Sequence, residues 1–169
     1  IGRLDVRTIN WFIPDIDSPF YGGINTALRI ADYLHRMHGV VNRFVVWGSP
    51  PDYFFRSAIT AAFPSLADSE ISFFDGAVGA SLEEVPPADA AIATLWLTAY
   101  AVARVQNTKR KFYLIQDFEP MFYPAGTQYA LAEESYKRNC DGRCNNVNVR
   151  QIYSDHCHGK GMSFMPAVD

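Results

Sequence analysis

The sequence predicts an α/β fold in which a doubly wound, mostly parallel β-sheet lies between two layers of helices (α/β/α). Short apolar runs rich in β-branched and aromatic residues alternate with longer stretches of helical periodicity, as in βαβ units. Most of these runs lack alternating polar positions, and strands that are apolar on both faces are typical of a parallel sheet covered by helices. The 169 residues are 49% hydrophobic and 20% charged, a composition that favours one globular domain.

The predicted strands follow from the apolar runs and from the breakers beside them. The second run, VVNRFVVW, is the most continuous, and Pro14 ends the first. A linker-like loop is predicted between the third and fourth strands. The predicted strands are residues 7–14, 40–47, 70–74, 89–94 and 111–116.

Helices are predicted between these strands. In residues 24–38 the apolar side chains recur at spacings of three and four, and Gly39 follows as a helix-ending glycine. The segment Ser49-Pro50-Pro51-Asp52 is typical of a helix start, and Phe63-Pro64 is typical of a helix end. Residues 96–105 are apolar almost all round, which predicts a buried helix, and residues 125–137 form a further predicted helix.

Charge and composition exclude several kinds of partner. The formal charge is −3, from 15 basic and 18 acidic residues, so no basic field favours nucleic acid. No apolar run approaches the about 20 residues of a membrane span. The odd count of three cysteines favours a reduced, cytoplasmic setting. The chain opens on Ile1 rather than Met, so we expect it to be part of a longer polypeptide.

Gly22 and Gly23 stand between the first strand and the first helix, after Asp15, Asp17 and Ser18. In an open parallel sheet, ligands bind outside the carboxyl ends of the strands. Glycines there allow a ligand to approach the helix amides, which suit a phosphate or a sugar oxygen. The sequence contains neither G-x-G-x-x-G nor G-x-x-x-x-G-K-[ST], which disfavours a dinucleotide site and a P-loop. Alternatively, the glycines only permit a tight entry into the helix.

Acidic and aromatic residues follow the fifth strand. Asp117 and Glu119 are two residues apart, so in extended chain both carboxylates point the same way, into one cleft. Two such groups suit a general base or the binding of sugar hydroxyls. Alternatively, both are solvated loop acids. Phe118 and the nearby Phe122, Tyr123 and Tyr129 either stack on sugar rings or seal the loop onto the domain.

The end of the sequence allows a metal site. Cys140, Cys144, His156, Cys157 and His158 include thiol and imidazole ligands at a zinc-like spacing. The Cys-x3-Cys spacing is looser than the Cys-x2-Cys spacing of zinc sites. The neighbouring residues 156–158 do not easily all face one ion. The alternative is a set of structural thiols with surface histidines.

Two segments carry a resemblance to a known family: residues 8–34 (TINWFIPDIDSPFYGGINTALRIADYL) and residues 112–136 (FYLIQDFEPMFYPAGTQYALAEESY). They resemble the N-terminal half of GT-B glycosyltransferases, in particular the family 4-like group of WsaF-type rhamnosyltransferases. The last six residues, FMPAVD, resemble the point where such enzymes pass from their first Rossmann-like domain to the second. The resemblance therefore predicts that residues 1–169 form one Rossmann-like, acceptor-side domain, and that the C-terminal donor domain is absent from this chain.

The resemblance also implies roles for individual residues. In such enzymes two domains face a cleft; the N-terminal domain mainly binds the acceptor sugar, and the C-terminal domain holds most of the nucleotide-diphosphate sugar, the co-substrate. Gly22 and Gly23 would then lie near the donor phosphates, and Asp117 and Glu119 would be the catalytic residues. No metal or other cofactor is implied. The residues expected to bind the acceptor are Asp17, Thr94, Trp96, Thr98 and Phe118.

On this interpretation the complete enzyme is a hexosyltransferase-type glycosyltransferase that builds a bacterial surface glycan, with rhamnose the sugar that the resemblance favours. It would work in the cytoplasm or at the inner face of the membrane, and the 169-residue chain alone would be inactive. The alternative is a non-catalytic, Rossmann-like binding or regulatory module with a zinc-stabilised C-terminal segment. An oxidoreductase is disfavoured because the glycine fingerprint of a dinucleotide site is missing.

Overall fold

A parallel sheet of seven strands forms the centre of the domain in the computed structural model, which describes residues 5–14, 22–48, 52–74, 82–138 and 140–165. The strands are β1 (Thr8–Pro14), β2 (Val41–Trp47), β3 (Glu70–Phe74), β4 (Ala88–Ala93), β5 (Thr108–Ile115), β6 (Asp141–Cys144) and β7 (Gly161–Ser163). The helices are α1 (Gly22–His38), α2 (Asp52–Ala62), α3 (Trp96–Arg104), α4 (Thr127–Ser135) and α5 (Val147–Cys157). Three short 3-10 helices cover Pro64–Leu66, Leu82–Glu84 and Glu119–Phe122.

The strand order β3-β2-β1-β4-β5-β6-β7 makes the sheet doubly wound, and every pairing in it is parallel. The chain winds from β1 through β2 to β3 in one direction and from β4 to β7 in the other. The direction reverses between β1 and β4, which pair directly. The predicted fold class, a Rossmann-like three-layer α/β/α domain, is therefore confirmed, and the crevice at the carboxyl ends of β1 and β4 is the expected ligand position.

Both faces of the sheet are apolar, because successive strand residues point to opposite sides. One face carries Trp11, Ile13 and Leu114 and packs against buried residues of α1 and α2. The other carries Phe12 and Tyr113 and packs against α3, α5 and the end of α4. This burial on both sides is the reason for the continuous apolar runs in the sequence.

The sequence predicts both ends of α1 to within two residues. The helix begins at Gly22, two residues before the predicted start, and it ends at His38 as predicted. Gly39 has φ of 65° and donates its N–H to the carbonyl of His35 at 2.9 Å, so it is the expected left-handed helix stop. A residue with a side chain is strained at this φ.

The last part of the sheet differs from the prediction. The sequence predicts strands only as far as residue 116, whereas β6, α5 and β7 extend the sheet by a further βαβ unit. The strand β6 reads DGRC, which has low β-propensity, and it is a strand because β5 offers it an edge to pair with.

No helix in the described ranges is both long and apolar enough to cross a bilayer.

Candidate functional site

A cavity of about 560 Å³ lies where the strand direction reverses, at the carboxyl edge of the sheet. Its walls come from the ends of β1, β4, β5 and β6 and from the first turns of α1. This is the position in which open parallel sheets hold their ligands. The described lining residues are Pro14, Gly22, Gly23, Ile24, Thr26, Thr94, Leu95, Gln116, Asp117, Glu119, Phe122 and Asn145.

One wall is the start of α1 joined to the end of β5. The side-chain amide of Gln116 donates a 2.7 Å hydrogen bond to the carbonyl oxygen of Gly23. A Cβ on Gly23 would lie 3.0 Å from Nε2 of Gln116, whereas a Cβ on Gly22 would meet nothing within 4 Å. Of the two glycines, therefore, only Gly23 lies in a close contact, and the glycines and the acidic end of β5 line the same edge of the sheet.

Asp117 stands at the rim of this cavity. Its side chain is exposed, and Oδ1 accepts a 2.7 Å hydrogen bond from the N–H of Phe118. Phe122, with 59% of its surface exposed, lies at the same rim. An exposed carboxylate can accept hydrogen bonds from hydroxyl groups. An exposed aromatic ring at the same rim can stack on the apolar face of another ring.

Glu119 lies at the floor, only 3% exposed. Oε2 accepts a 2.7 Å hydrogen bond from the backbone N–H of Trp96, and Oε1 accepts a 3.0 Å hydrogen bond from the hydroxyl of Tyr113. Burial raises the pKa of Glu119 to about 7; the two hydrogen bonds oppose the rise, and the charge of Asp117 adds to it. The carboxyl group therefore titrates near neutral pH.

The expectation that the two carboxylates point the same way from extended chain is wrong. The chain is not extended beyond Asp117, because Phe118 has φ of −82° and ψ of 82° and Glu119 starts a 3-10 helix. Both acids line the cavity, but from different depths. Asp117 is a solvated rim acid, whereas Glu119 is a buried acid bonded to α3.

The hydroxyl of Tyr136 holds this corner of the chain. It donates to the carbonyl oxygen of Asp117 at 3.1 Å and accepts from the N–H of Glu119 at 2.9 Å. The Tyr136 ring stacks between those of Tyr113 and Phe118, with centroids 5.5 and 5.8 Å away. Three stacked rings, buried or half-buried, thus hold the backbone that carries the rim acid.

The remaining predicted acceptor residues fall into three groups. Thr94 lines the cavity, and its hydroxyl donates to the carbonyl of Phe12 at 2.8 Å, which ties the end of β4 to β1. Three others are outside the described lining and support it: Trp96, whose Nε1 donates to the hydroxyl of Tyr123 at 2.9 Å; Thr98, which is fully buried; and Phe118, which stacks on Tyr136. Asp17 lies outside the described residues.

Three polar lining residues are not among the predicted site residues: Thr26 in α1, and the amides Gln116 and Asn145. The sequence predicts Gln116 as the last residue of a strand, whereas β5 ends at Ile115 and Gln116 stands just beyond it, where ligands bind. Asn145 follows β6, a strand that the sequence does not predict. Both offer a side-chain amide, which donates and accepts hydrogen bonds.

The cysteines are free thiols within the apolar layer. Cys140, Cys144 and Cys157 are buried, and burial raises the pKa of both Cys140 and Cys144 to about 11. Among the described side chains, which do not include that of His156, no three His, Cys, Asp or Glu residues are grouped to hold a metal ion. The zinc alternative therefore finds no support in this part of the chain.

Fold and site together define a Rossmann-like domain with a cavity of mixed polar and apolar lining at the point where the strand direction reverses. Residues 8–144 match the family described as "WsaF, N-terminal domain", and the chain belongs to this family, as the resemblance predicted. The "O-antigen biosynthesis protein RfbC" of Myxococcus xanthus is 33% identical to it over 174 residues. That match covers 97% of this chain and 13% of RfbC, so the chain spans a small part of the relative's length.

Proposed function

We propose that this chain is the acceptor-binding domain of a glycosyltransferase that acts in the synthesis of a surface glycan. Its membership of the WsaF N-terminal domain family supports this, and so does its relative RfbC, whose name places that protein in O-antigen biosynthesis. The observation that carries the proposal is the chemistry of the cavity: among the described lining residues there is no Lys, Arg or His. The described lining therefore offers no side-chain cation to a phosphate group, and it suits a neutral, hydroxyl-rich acceptor.

Each type of lining group has a use in holding a sugar. The amides of Gln116 and Asn145 and the hydroxyls of Thr26 and Thr94 donate and accept hydrogen bonds. The Asp117 carboxylate can accept strong, charge-assisted hydrogen bonds from sugar hydroxyls. In the transfer reaction Asp117 would orient the acceptor hydroxyl for attack, a contribution of positioning rather than of new chemistry.

The nucleotide-diphosphate sugar would be held mainly by a second domain of the longer protein, across a GT-B cleft. In this domain, the backbone N–H groups at the start of α1, at Gly22 and Gly23, would face its phosphates, since a helix N-terminus favours negative charge. Rhamnose is the proposed sugar. The 169-residue chain alone should not catalyse sugar transfer, because the second domain would hold most of the nucleotide-diphosphate sugar. Measurable transfer by this chain would contradict the proposal.

The binding test uses NMR spectra of the ¹⁵N-labelled chain with methyl glycosides, methyl rhamnoside among them, and with inorganic pyrophosphate. We expect glycosides to shift the side-chain amides of Gln116 and Asn145. Asp117→Asn should weaken glycoside binding about tenfold, the loss of one charge-assisted hydrogen bond. Asp155→Asn, an exposed acid near the end of α5, is the matched control and should leave binding unchanged. If only pyrophosphate shifts those amides, the cavity is not an acceptor site.

Catalysis is tested separately in the longer protein. There Asp117→Asn should lower the transfer rate while the protein remains folded. Unchanged kinetics would remove Asp117 from the reaction, even if the chain binds glycosides.

A further inference from the structure

The side chain of Glu119 joins the start of α3 to the segment that follows β5. Trp96, the first residue of α3, donates its N–H to Oε2 of Glu119. The residue before it, Leu95, has an apolar side chain that cannot cap a helix. The start of α3 is therefore capped by a carboxyl group from the segment after β5, so the two segments must move together.

The same residue is tied to the rim. The Tyr136 hydroxyl accepts a hydrogen bond from the N–H of Glu119 and donates one to the carbonyl oxygen of Asp117. One hydroxyl group therefore holds both ends of the segment from Asp117 to Glu119. A shift of Glu119 toward or away from α3 therefore displaces the rim acid. No other described lining residue connects α3 to Asp117 in this way.

Among the described residues, no cation contributes to the pKa of Glu119. From β5 it faces the neutral phenol of Tyr113, from the end of α4 that of Tyr136, and from its own segment the negative charge of Asp117. From α3 it meets the backbone N–H of Trp96, whose indole is bonded to the Tyr123 hydroxyl instead. The carboxylate and the carboxylic acid are consequently both accessible near neutral pH.

We propose that Glu119 is a positioning residue whose gain or loss of a proton changes how tightly the start of α3 is held and, through Tyr136, where Asp117 stands. The ionised form accepts two hydrogen bonds, and the one from Trp96 is charge-assisted and therefore stronger. The protonated form keeps one accepting oxygen and donates from the other, so Tyr113 must turn its hydroxyl. The inference does not depend on which ligand fills the cavity.

The test is an NMR pH titration of the 169-residue chain from pH 5 to pH 9. We expect the Glu119 carboxyl carbon, the Trp96 N–H and the Phe118 N–H to change together, with one midpoint near pH 7. In Glu119→Gln, which retains an acceptor for Trp96 and a partner for Tyr113, the step at both N–H groups should disappear. Glu84→Gln, at an exposed acid of a short 3-10 helix, is the matched control and should retain it.

Tyr113→Phe is the second variant. Loss of its hydrogen bond should move the common midpoint upward, because that bond favours the ionised form. If Glu119 were purely structural, the Phe118 N–H, which is bonded to Asp117, would not follow this shifted midpoint. The proposal is overturned if Glu119 titrates near 4.5, its ordinary value, or if the Trp96 and Phe118 N–H groups do not follow its midpoint.

Discussion

The side chain of Gln116 bridges β5 and α1 through its 2.7 Å hydrogen bond to the carbonyl oxygen of Gly23. Because Asp117 follows Gln116 directly, this bond brings the acidic strand end to the glycine-opened helix. The two walls of the cavity therefore meet at a contact that a side chain on Gly23 would obstruct.

Gly23→Ala should be less stable than Gly22→Ala by about 1 kcal/mol. Both substitutions improve helix propensity at the start of α1, but only the Cβ on residue 23 displaces the Gln116 amide from its partner. Urea denaturation of the two variants measures the difference, and NMR detects the movement of the Gln116 amide. Equal stabilities together with an unmoved amide would show that the contact is not restrictive.

The stability of the chain should fall as pH rises from about 4.5 to about 7. Glu119 has its pKa raised to about 7 in the folded protein, so the folded chain retains a proton that the unfolded chain, with a pKa of 4.5, releases. At about 1.4 kcal/mol per unit, the loss approaches about 3 kcal/mol. Denaturation curves across this range measure it, and Glu119→Gln should remove most of the slope. An unchanged slope in that variant would contradict the assignment, whereas Glu84→Gln should retain the slope.

Thr98→Val should destabilise the chain by about 2 kcal/mol. The Thr98 hydroxyl accepts the N–H groups of Thr94 and Leu95, each at 3.1 Å, in a fully buried place that water does not reach. Valine has the same shape and leaves both N–H groups unpaired. Thr127→Val, at the exposed first residue of α4, is the control and should change the free energy of unfolding by less than about 0.5 kcal/mol. Similar changes in the free energy of unfolding in both variants would contradict this role of Thr98 at the start of α3.

Gly159→Ala should destabilise the C-terminal βαβ unit by about 3 kcal/mol. The new Cβ would lie 2.1 Å from the Tyr153 ring, which cannot retreat because it is buried and its hydroxyl donates to the carbonyl of Cys140 at 2.9 Å. At Gly126 the nearest atom to an added Cβ is 3.9 Å away, so Gly126→Ala is the control. Thermal unfolding compares them, and a Gly159→Ala variant with unaltered stability would mean that β7 does not pack as described.

How much of the site the sequence could predict is clearest from the residues at the strand ends. The rule that ligands bind beyond parallel strands placed Gly22, Gly23 and Asp117 at one edge, the family resemblance added Thr94, and all four residues line one cavity. The same rule would have found Gln116 if the strand had been ended one residue earlier. Asn145 could not be predicted in this way, because it follows β6, and the residues of β6 have no apolar pattern that predicts a strand.

The sequence by itself determined the features that depend on near neighbours: the strands β1 to β5, the helices between them, the helix stop at Gly39 and hence the doubly wound sheet. Periodicity and backbone preference are local properties and can be read without a partner. Only the tertiary structure decided that Asp141–Cys144 pairs with β5 and that Glu119 is buried against α3. Strand pairing and burial depend on segments distant in sequence, and burial is what sets the pKa that makes Glu119 differ from Asp117.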